Sequence, residues 1–340
     1  MATHAVRLPV ARTTSSFPAI LYGVLLSGFG IAVYVFGVLL RFVGIFVDPG
    51  GHSVGIIRGM VWYSGIPVVA GMGLIALDLV VLFPRKRRRT DVEWDPPQNH
   101  QLTVVLTAYN DEQSIGLAVQ DFRRHPRVRR VIVVDNNSRD RTSEIARAAG
   151  ATVIHEQRAG YGNCVFRALE EGTKSPDTEL TLLCEGDMTF RAYDIEKFLA
   201  YAPHAEIVNG TRIAEQLRQK HTQLTTFMFF GNFFVGKLLE AKHIGKGTLT
   251  DVGTTYKLCR NSTLRRLLPL LRREINLEFN AHFLDRALAN GFSLVECPVT
   301  FHSRVGASKG GNTSNARALR VGLRMILGIV IGWRPLQWFR

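Results

Sequence analysis

The stretch Leu180-Thr181-Leu182-Leu183-Cys184-Glu185-Gly186-Asp187-Met188-Thr189-Phe190 decides how the chain is read. Its first half is an apolar run bounded by charge, the mark of a strand buried on both faces of a mainly parallel sheet. Its second half leaves two acids, Glu185 and Asp187, at the strand's carboxyl end, the edge where open α/β sheets bind ligands. Acids at i and i+2 of an extended chain point the same way. Both can therefore face one divalent cation carrying a diphosphate, because magnesium and manganese prefer oxygen ligands completed by phosphates. An isolated Glu-Gly-Asp is equally what a solvated surface turn looks like, so its neighbours must decide.

Those neighbours alternate. Residues 102–108 and 131–135 are short apolar runs of strand type, with a helical pattern over 112–124 between them. A helical stretch at 142–149, a strand at 152–155 and a helix at 161–171 lead up to the strand at Leu180. A helix at 194–201 and strands at 206–209 and 292–301 extend the series. Strand and helix repeated in this way predict a parallel sheet with right-handed crossovers.

The rest of the chain points to a membrane. The net charge of +14 resembles a nucleic-acid signal, but five cations, Arg85 to Arg89, directly follow a hydrophobic segment. That is a cytoplasmic membrane-edge pattern, and with no recognition motif or aromatic ladder a nucleic-acid partner is excluded. Residues 17–40 carry no charge, and 59–77 form a second uncharged run; about 20 apolar residues suffice to cross a bilayer. The alternative for the pair is a buried helical hairpin of a soluble protein. Arg7, Arg12 and the five-cation cluster outweigh Arg41 and Arg58 on the other flank, so both termini are expected in the cytoplasm. Residues 227–239, dense in phenylalanine, read as core or as an interfacial helix. Residues 316–333, with Arg317, Arg320 and Arg324 beside an apolar face, read as a helix lying in the membrane interface. Cys164, Cys184, Cys259 and Cys297 are scattered, without zinc spacing, and read as reduced thiols.

Three strand ends now bring polar residues to one sheet edge: Thr107 to Glu112, Asp135 to Thr142, and Glu185 with Asp187. In this order and spacing the sequence resembles a GT-A glycosyltransferase of family 2, in its polyprenyl-phosphate (dolichol-phosphate mannose synthase-like) branch. Tyr109-Asn110-Asp111-Glu112 stands for the family's Tyr-Asn-Glu-Glu. Asp135-Asn136-Asn137-Ser138-Arg139-Asp140-Arg141-Thr142 stands for Asp-Asp-Gly-Ser-x-Asp-x-Thr, Gly160-Tyr161-Gly162 for a Gly-Tyr-Gly turn, and Glu185-Gly186-Asp187 for Asp-x-Asp. Asn209 to Arg212 resembles the Gly-Ser-Arg element, and Thr250-Asp251 with Thr254 to Lys257 resembles Thr-Asp-x-x-Ser-Gly-Phe-Arg. Glu296-Cys297-Pro298, Arg304 and Gly306-Ala307-Ser308-Lys309 resemble the branch's ending. The departures are Thr107 for proline, Asn136 for the second acid of the pair, and Glu185 for the first acid of Asp-x-Asp.

The resemblance implies a metal-dependent, inverting hexosyltransferase using Mg2+ or Mn2+. Asp187 and Glu185 would hold the metal, Glu185 directly, through water, or by contacting the sugar or ribose instead. Ala108, Tyr109, Asp111, Asp135, Gly160, Glu185 and Thr189 would line the site of a UDP- or GDP-linked sugar. Arg304 would stabilise the leaving diphosphate, and Arg212 and Lys309 would face the acceptor phosphate of a polyprenyl lipid. Asp251 is the acid to test as a catalytic base. Its use would favour the alternative acceptor, a hydroxyl of a glycerolipid or glycan; the non-enzymatic alternative is a membrane scaffold on a degenerate GT-A domain. The expected organisation is a cytoplasmic tail (1–16), a transmembrane hairpin (17–83), a basic linker (84–100), an α/β GT-A domain (101–310) and an amphipathic interface helix (311–340). The location implied is the inner (plasma) membrane, multi-pass, with the catalytic domain cytoplasmic, and with room for a homo-oligomer.

Overall fold

The computed structural model describes residues 17–47, 54–86, 92–306 and 314–334. They fall into two compact units, one of residues 17–47, 54–86 and 241–245, the other of the remaining described residues. The expected tail at 1–16, the cations Arg87 to Arg89, and Lys309 lie outside the described residues.

The smaller unit is built on two apolar helical rods. The first, α1 (Ala19–Val47), packs against a second made of α2 (Val54–Tyr63), α3 (Gly65–Leu77), a π turn at Asp78–Leu82 and α4 (Phe83–Lys86). Small residues let the backbones touch: a Cβ on Gly71 would stand 2.5 Å from the Gly23 carbonyl oxygen. The second rod runs past Leu77, where the uncharged run ends, because Asp78 is fully buried and ion-paired to Lys86 at 2.6 Å. The same carboxylate accepts the Ile20 N–H at the start of α1 at 2.6 Å. Lys86, one of the five clustered cations, is thus spent inside the unit. By length and composition, residues Ala19–Gly44 and Val54–Lys86 could each cross a membrane.

The larger unit is a seven-stranded sheet, in spatial order β3-β2-β1-β4-β6-β5-β7. Its strands are β1 (Leu102–Ala108), β2 (Val128–Asp135), β3 (Thr152–His155), β4 (Leu180–Glu185), β5 (Ile207–Thr211), β6 (Lys257–Arg260) and β7 (Leu294–Pro298). All neighbours pair in parallel except β6, which runs antiparallel to both β4 and β5. Helices α5 (Ile115–Arg123), α6 (Thr142–Ala148), α7 (Tyr161–Gly172) and α8 (Ile195–Tyr201) supply the crossovers. Every residue of β1 is buried, as an apolar run in a doubly covered strand requires. Leu102, Val104 and Leu106 of β1 and Leu180, Leu182 and Cys184 of β4 share a core with Phe122 of α5 and Phe198 of α8. The opposite face meets α7, whose Gly172 lies against Thr181.

Beyond the crossovers come α9 (Thr226–Lys242), α10 (Asn261–Leu267), α11 (Phe279–Ala289) and α12 (Asn315–Ile331). Ser314 caps α12 by accepting the Arg317 N–H at 3.2 Å. An ion pair from Arg324 to Glu278, 3.7 Å, ties α12 to the start of α11.

Candidate active site

The carboxyl ends of β1, β2 and β4 lie side by side, with Ala108 in register with Asp135 and Thr107 with Glu185. Two loops there are laced together. The Asp111 N–H donates to Thr142 Oγ1 at 2.7 Å, the Asn110 N–H to Ser138 Oγ at 2.8 Å, and the Arg139 N–H to Asn110 Oδ1 at 2.7 Å. Asp135 is buried and accepts from the Ser138 N–H at 3.0 Å and from Ser143. Asn136 shows why an acid is absent at its position. Its amide nitrogen donates to the carbonyls of Glu156 and Arg158 at 3.1 and 2.7 Å, which a carboxylate cannot do, while its oxygen accepts the Gly160 N–H at 2.8 Å. Gly162 starts α7 against the 273–275 segment, where a Cβ would overlap the Ile275 carbonyl.

Asp187 is almost fully buried, and its two oxygens are used differently. Oδ1 accepts both the Thr189 N–H at 3.0 Å and the Thr189 hydroxyl at 2.6 Å. Oδ2 accepts no aligned hydrogen bond, although Arg304 Nη1 lies 3.0 Å away. The other arm of Arg304 donates to Asp111 Oδ1 at 2.7 Å. Backbone bonds fasten the arginine's segment to that of the acid, His302 N–H to Thr189 O at 2.9 Å and Val305 N–H to Asp187 O at 3.1 Å. Burial opposes the Arg304 charge, but the carboxylates of Asp187 and Asp111 outweigh it and raise its pKa. Burial, and after it the Asp187 charge, push the Glu185 carboxyl up to about 7.

Glu185 also accepts from Thr255 Oγ1 at 2.7 Å, and that hydroxyl meets Tyr161 Oη at 2.5 Å. Asn280 of α11 donates to Tyr161 Oη at 3.0 Å and to the Gly253 carbonyl at 3.2 Å, while Asn276 accepts the Tyr161 N–H at 2.7 Å. Asn276, Asn280 and Thr255 were not singled out in the sequence. Only Thr255 lies within a matched segment; the two asparagines have no signal beyond a helical spacing of four.

Arg212 and Asp251 form a second pair, with contacts of 2.6 Å from Nε and 2.8 Å from Nη2. Asp251 further accepts from Asn232 of α9, from the Gly253 N–H at 3.1 Å and from the Arg212 N–H at 3.1 Å. Burial alone would raise its pKa, yet the Arg212 charge outweighs this and holds it at about 2. This setting does not favour Asp251, the acid to test as a catalytic base, in that role. Both its oxygens are occupied, it lies behind Arg212 rather than on the cavity wall, and a carboxylate so stabilised is a poor proton acceptor. Glu296 backs the same loop, accepting from Thr250 N–H and Oγ1 at 2.8 and 2.6 Å and from the Asp251 N–H at 3.1 Å.

One cavity of about 1320 Å3 gathers Ala108, Tyr109, Asp111, Gly160, Glu185, Asp187, Arg212 and Arg304. Asp135 and Thr189 stand just behind its wall and brace it. Its other side is apolar, formed by Phe227, Phe230, Phe234 and Val235 of α9 and by Leu319, Leu323, Met325 and Ile326 of α12. Among the described residues no three His, Cys, Asp or Glu side chains cluster as a metal site. A cation here would take at most Asp187 and Glu185 from the protein and the rest of its ligands from phosphate and water. Asp187 Oδ2, buried without an aligned hydrogen bond, fits that use.

Residues 103–268 match the model of "Glycosyl transferase family 2". A dolichyl-phosphate hexose transferase of Haloferax volcanii is 30% identical over 209 residues, which cover 61% of this chain and 86% of that protein. An uncharacterised glycosyltransferase of Mycobacterium tuberculosis is 28% identical over 206 residues, 60% of this chain and 87% of that protein. Glucosyl-3-phosphoglycerate synthase of M. tuberculosis, solved with Mn2+ and UDP-glucose, aligns at 15% identity and a TM-score of 0.48, covering 67% of this chain and 78% of that one. A mixed sheet with its acids at the strand ends, a family match running from β1 into α10, and a 30%-identical relative spanned over most of its length lead to one conclusion: the chain is a glycosyltransferase and belongs to glycosyl transferase family 2.

Proposed function

We propose that the protein moves a hexose from a nucleotide-diphosphate sugar to a membrane-held polyprenyl phosphate, inverting the anomeric centre and giving a lipid-linked monosaccharide. The observation that carries this reading is the two-sided cavity, polar at the strand ends and apolar along α9 and α12. A water-soluble acceptor has no use for a wall of phenylalanine and leucine, whereas a lipid phosphate needs both a cationic pole and an apolar track. The name of the Haloferax relative, a dolichyl-phosphate hexose transferase, supports the same acceptor.

In this reading the loop from Tyr109 to Asp111, braced by Asp135, holds base and ribose, and Glu185, Tyr161 and Asn280, backed by Thr255, face the sugar. Asp187, with Glu185, would hold Mg2+ or Mn2+, which when bound neutralises diphosphate charge. Arg304 offers its planar fork to the departing diphosphate. Arg212 is held rigidly by Asp251 beside Asn232 of α9 and presents its charge to the acceptor phosphate, with Lys309 a second candidate. A phosphate monoester has a second pKa of about 6, so its attacking oxygen is already ionised at neutral pH. That oxygen bonds to the anomeric carbon as the bond from this carbon to the diphosphate oxygen breaks, and no side chain need remove a proton. The two apolar helical rods would keep the enzyme in the inner membrane, with the catalytic unit and both termini on the cytoplasmic side.

The test is to incubate purified full-length protein with polyprenyl phosphate and a panel of UDP- and GDP-sugars. A lipid-extractable, radiolabelled product from one donor is expected. Transfer to a glycerolipid hydroxyl in the same mixture, with none to polyprenyl phosphate, would overturn the acceptor assignment.

A further inference from the structure

A second cavity, of about 740 Å3, lies apart from the first and shares none of its lining residues. Four arginines line it, Arg272, Arg273, Arg286 and Arg334, against the single acid Glu274 among the described residues. Two are partly engaged. Arg273 lies 3.4 Å from Glu156 and rests on the Phe166 ring at 4.8 Å, yet its Nε is buried with no acceptor. Arg286 reaches Asp285 only at 3.5 Å, and its Nε is likewise buried without an acceptor. The guanidinium groups of Arg272 and Arg334 meet no carboxylate among the described residues.

The cavity is built, not incidental. Trp333 forms part of its wall, donating its indole N–H to Asp285 Oδ2 at 2.6 Å and standing edge-on to His282 at 5.1 Å. The chain reaches that position because Gly332 takes φ +98° just past α12, and because Gly328 leaves the ring room, a Cβ there falling 2.4 Å from it. Asp285 is thereby committed to Trp333, which weakens its claim on Arg286. Leu270 and Ile331 complete an apolar border.

We propose that this cavity is a binding site for a phosphate group. Several guanidinium forks with unmet donors suit the oxygens of phosphate better than any neutral ligand. The apolar border and a volume well above that of a single ion suit a phosphate carrying hydrocarbon, as in an anionic phospholipid. A free phosphate or phosphorylated small molecule offers the same chemistry, and the experiment separates the two. Because α12 walls the first cavity with residues 318–326, and its last residue Ile331 with the following 332–334 walls the second, a ligand here would fix the far end of that helix.

The test uses the full-length chain in a neutral maltoside detergent at constant ionic strength, followed by thermal unfolding. Additions are short-chain phosphatidylglycerol, phosphatidylcholine of the same chain length, or sodium phosphate. Phosphatidylglycerol is expected to raise the midpoint by about 3–6 °C and phosphatidylcholine by far less. An equal rise with sodium phosphate alone would assign the site to a free anion. The double variant Arg272→Ala/Arg334→Ala, or its glutamine counterpart if the alanine form is unstable, is expected to lose most of the rise while unfolding normally without additions. A variant that keeps the full rise, or a wild type that responds to neither anion, would overturn the proposal.

Discussion

The two arginine–carboxylate pairs at the main cavity use the same chemistry and finish it differently. In Arg212–Asp251 every carboxylate oxygen is taken, by the guanidinium, by Asn232 and by backbone N–H groups, and the acid is hidden from the cavity. In Arg304–Asp187 one oxygen has the arginine's charge beside it but no aligned hydrogen bond, and the arginine divides itself between Asp187 and Asp111 on the cavity wall. A saturated carboxylate can brace a loop but has nothing left for a ligand, so of this pair only Arg212 reaches the cavity. An unsaturated one carries a desolvation cost that a bound group relieves, which is why buried groups of this kind mark binding sites.

If that contrast is right, substitutions in the open pair change chemistry and those in the closed pair change stability. The largest effect is expected at Asp187. Asp187→Asn keeps the oxygen that Thr189 needs but loses the charge, so transfer should fall about 1000-fold with the melting midpoint within about 2 °C. Titration calorimetry should show Mn2+ binding lost in the variant, and chelation should silence the wild type until metal is restored. A variant that binds Mn2+ as wild type does would remove the distinction between the pairs.

Asp251→Asn should act on the fold instead. It leaves Arg212 buried without a counter-charge, a loss of about 3 kcal/mol, or about 8 °C in midpoint for a unit of this size. Asp251 is held at about 2, below its ordinary 3.8, so its contribution is present above pH 4 and is lost as pH falls through 2. The gap between variant and wild type should therefore narrow on acidification below pH 4. Arg304→Lys returns to the open pair and keeps the charge but not the fork that spans two carboxylates. A fall of about 30-fold in kcat with little change in midpoint is expected; an equal loss of stability would class Arg304 with Arg212.

How much of this was legible in advance follows the same division between local pattern and tertiary support. The strands at 102–108, 131–135 and 180–185 are largely apolar runs, and the acids at or just beyond their ends, Asp111, Asp135, Glu185 and Asp187, follow directly from the pattern. The antiparallel β6 was not legible: Lys257-Leu258-Cys259-Arg260 is four residues with a charge at each end, and only its place between β4 and β5 makes it a strand. The apolar side of the cavity was half legible. The phenylalanines of α9 fit a core or an interface, and the choice depends on α12 arriving opposite from 90 residues away. Asn276 and Asn280 were invisible, since an asparagine, in a loop or on a helix, carries no mark of the backbone N–H or hydroxyl it will meet. The saturation of Asp251 by Asn232 and Arg212 was equally hidden, because it is a property of three distant segments.

Lys257 offers the finest test, because it belongs to neither pair. It lies on β6 opposite Leu183 and Asn209, is 1% exposed, and donates to the Thr254 carbonyl with no carboxylate in salt-bridge contact among the described residues. Burial, against the weaker pull of Asp251, lowers its pKa to about 7. The unfolded chain holds this proton up to about pH 10.5 and the folded one releases it near 7, so between those values the unfolded state binds more protons and wild-type stability must rise with pH. Lys257→Met lacks that slope. Relative to the variant, the wild type should gain about 2 kcal/mol between pH 7 and 9, read from parallel thermal unfolding. A constant gap would mean that the amine stays charged in the fold. The field of Asp251 would then extend past Arg212, and the closed pair would be less closed than its hydrogen bonds imply.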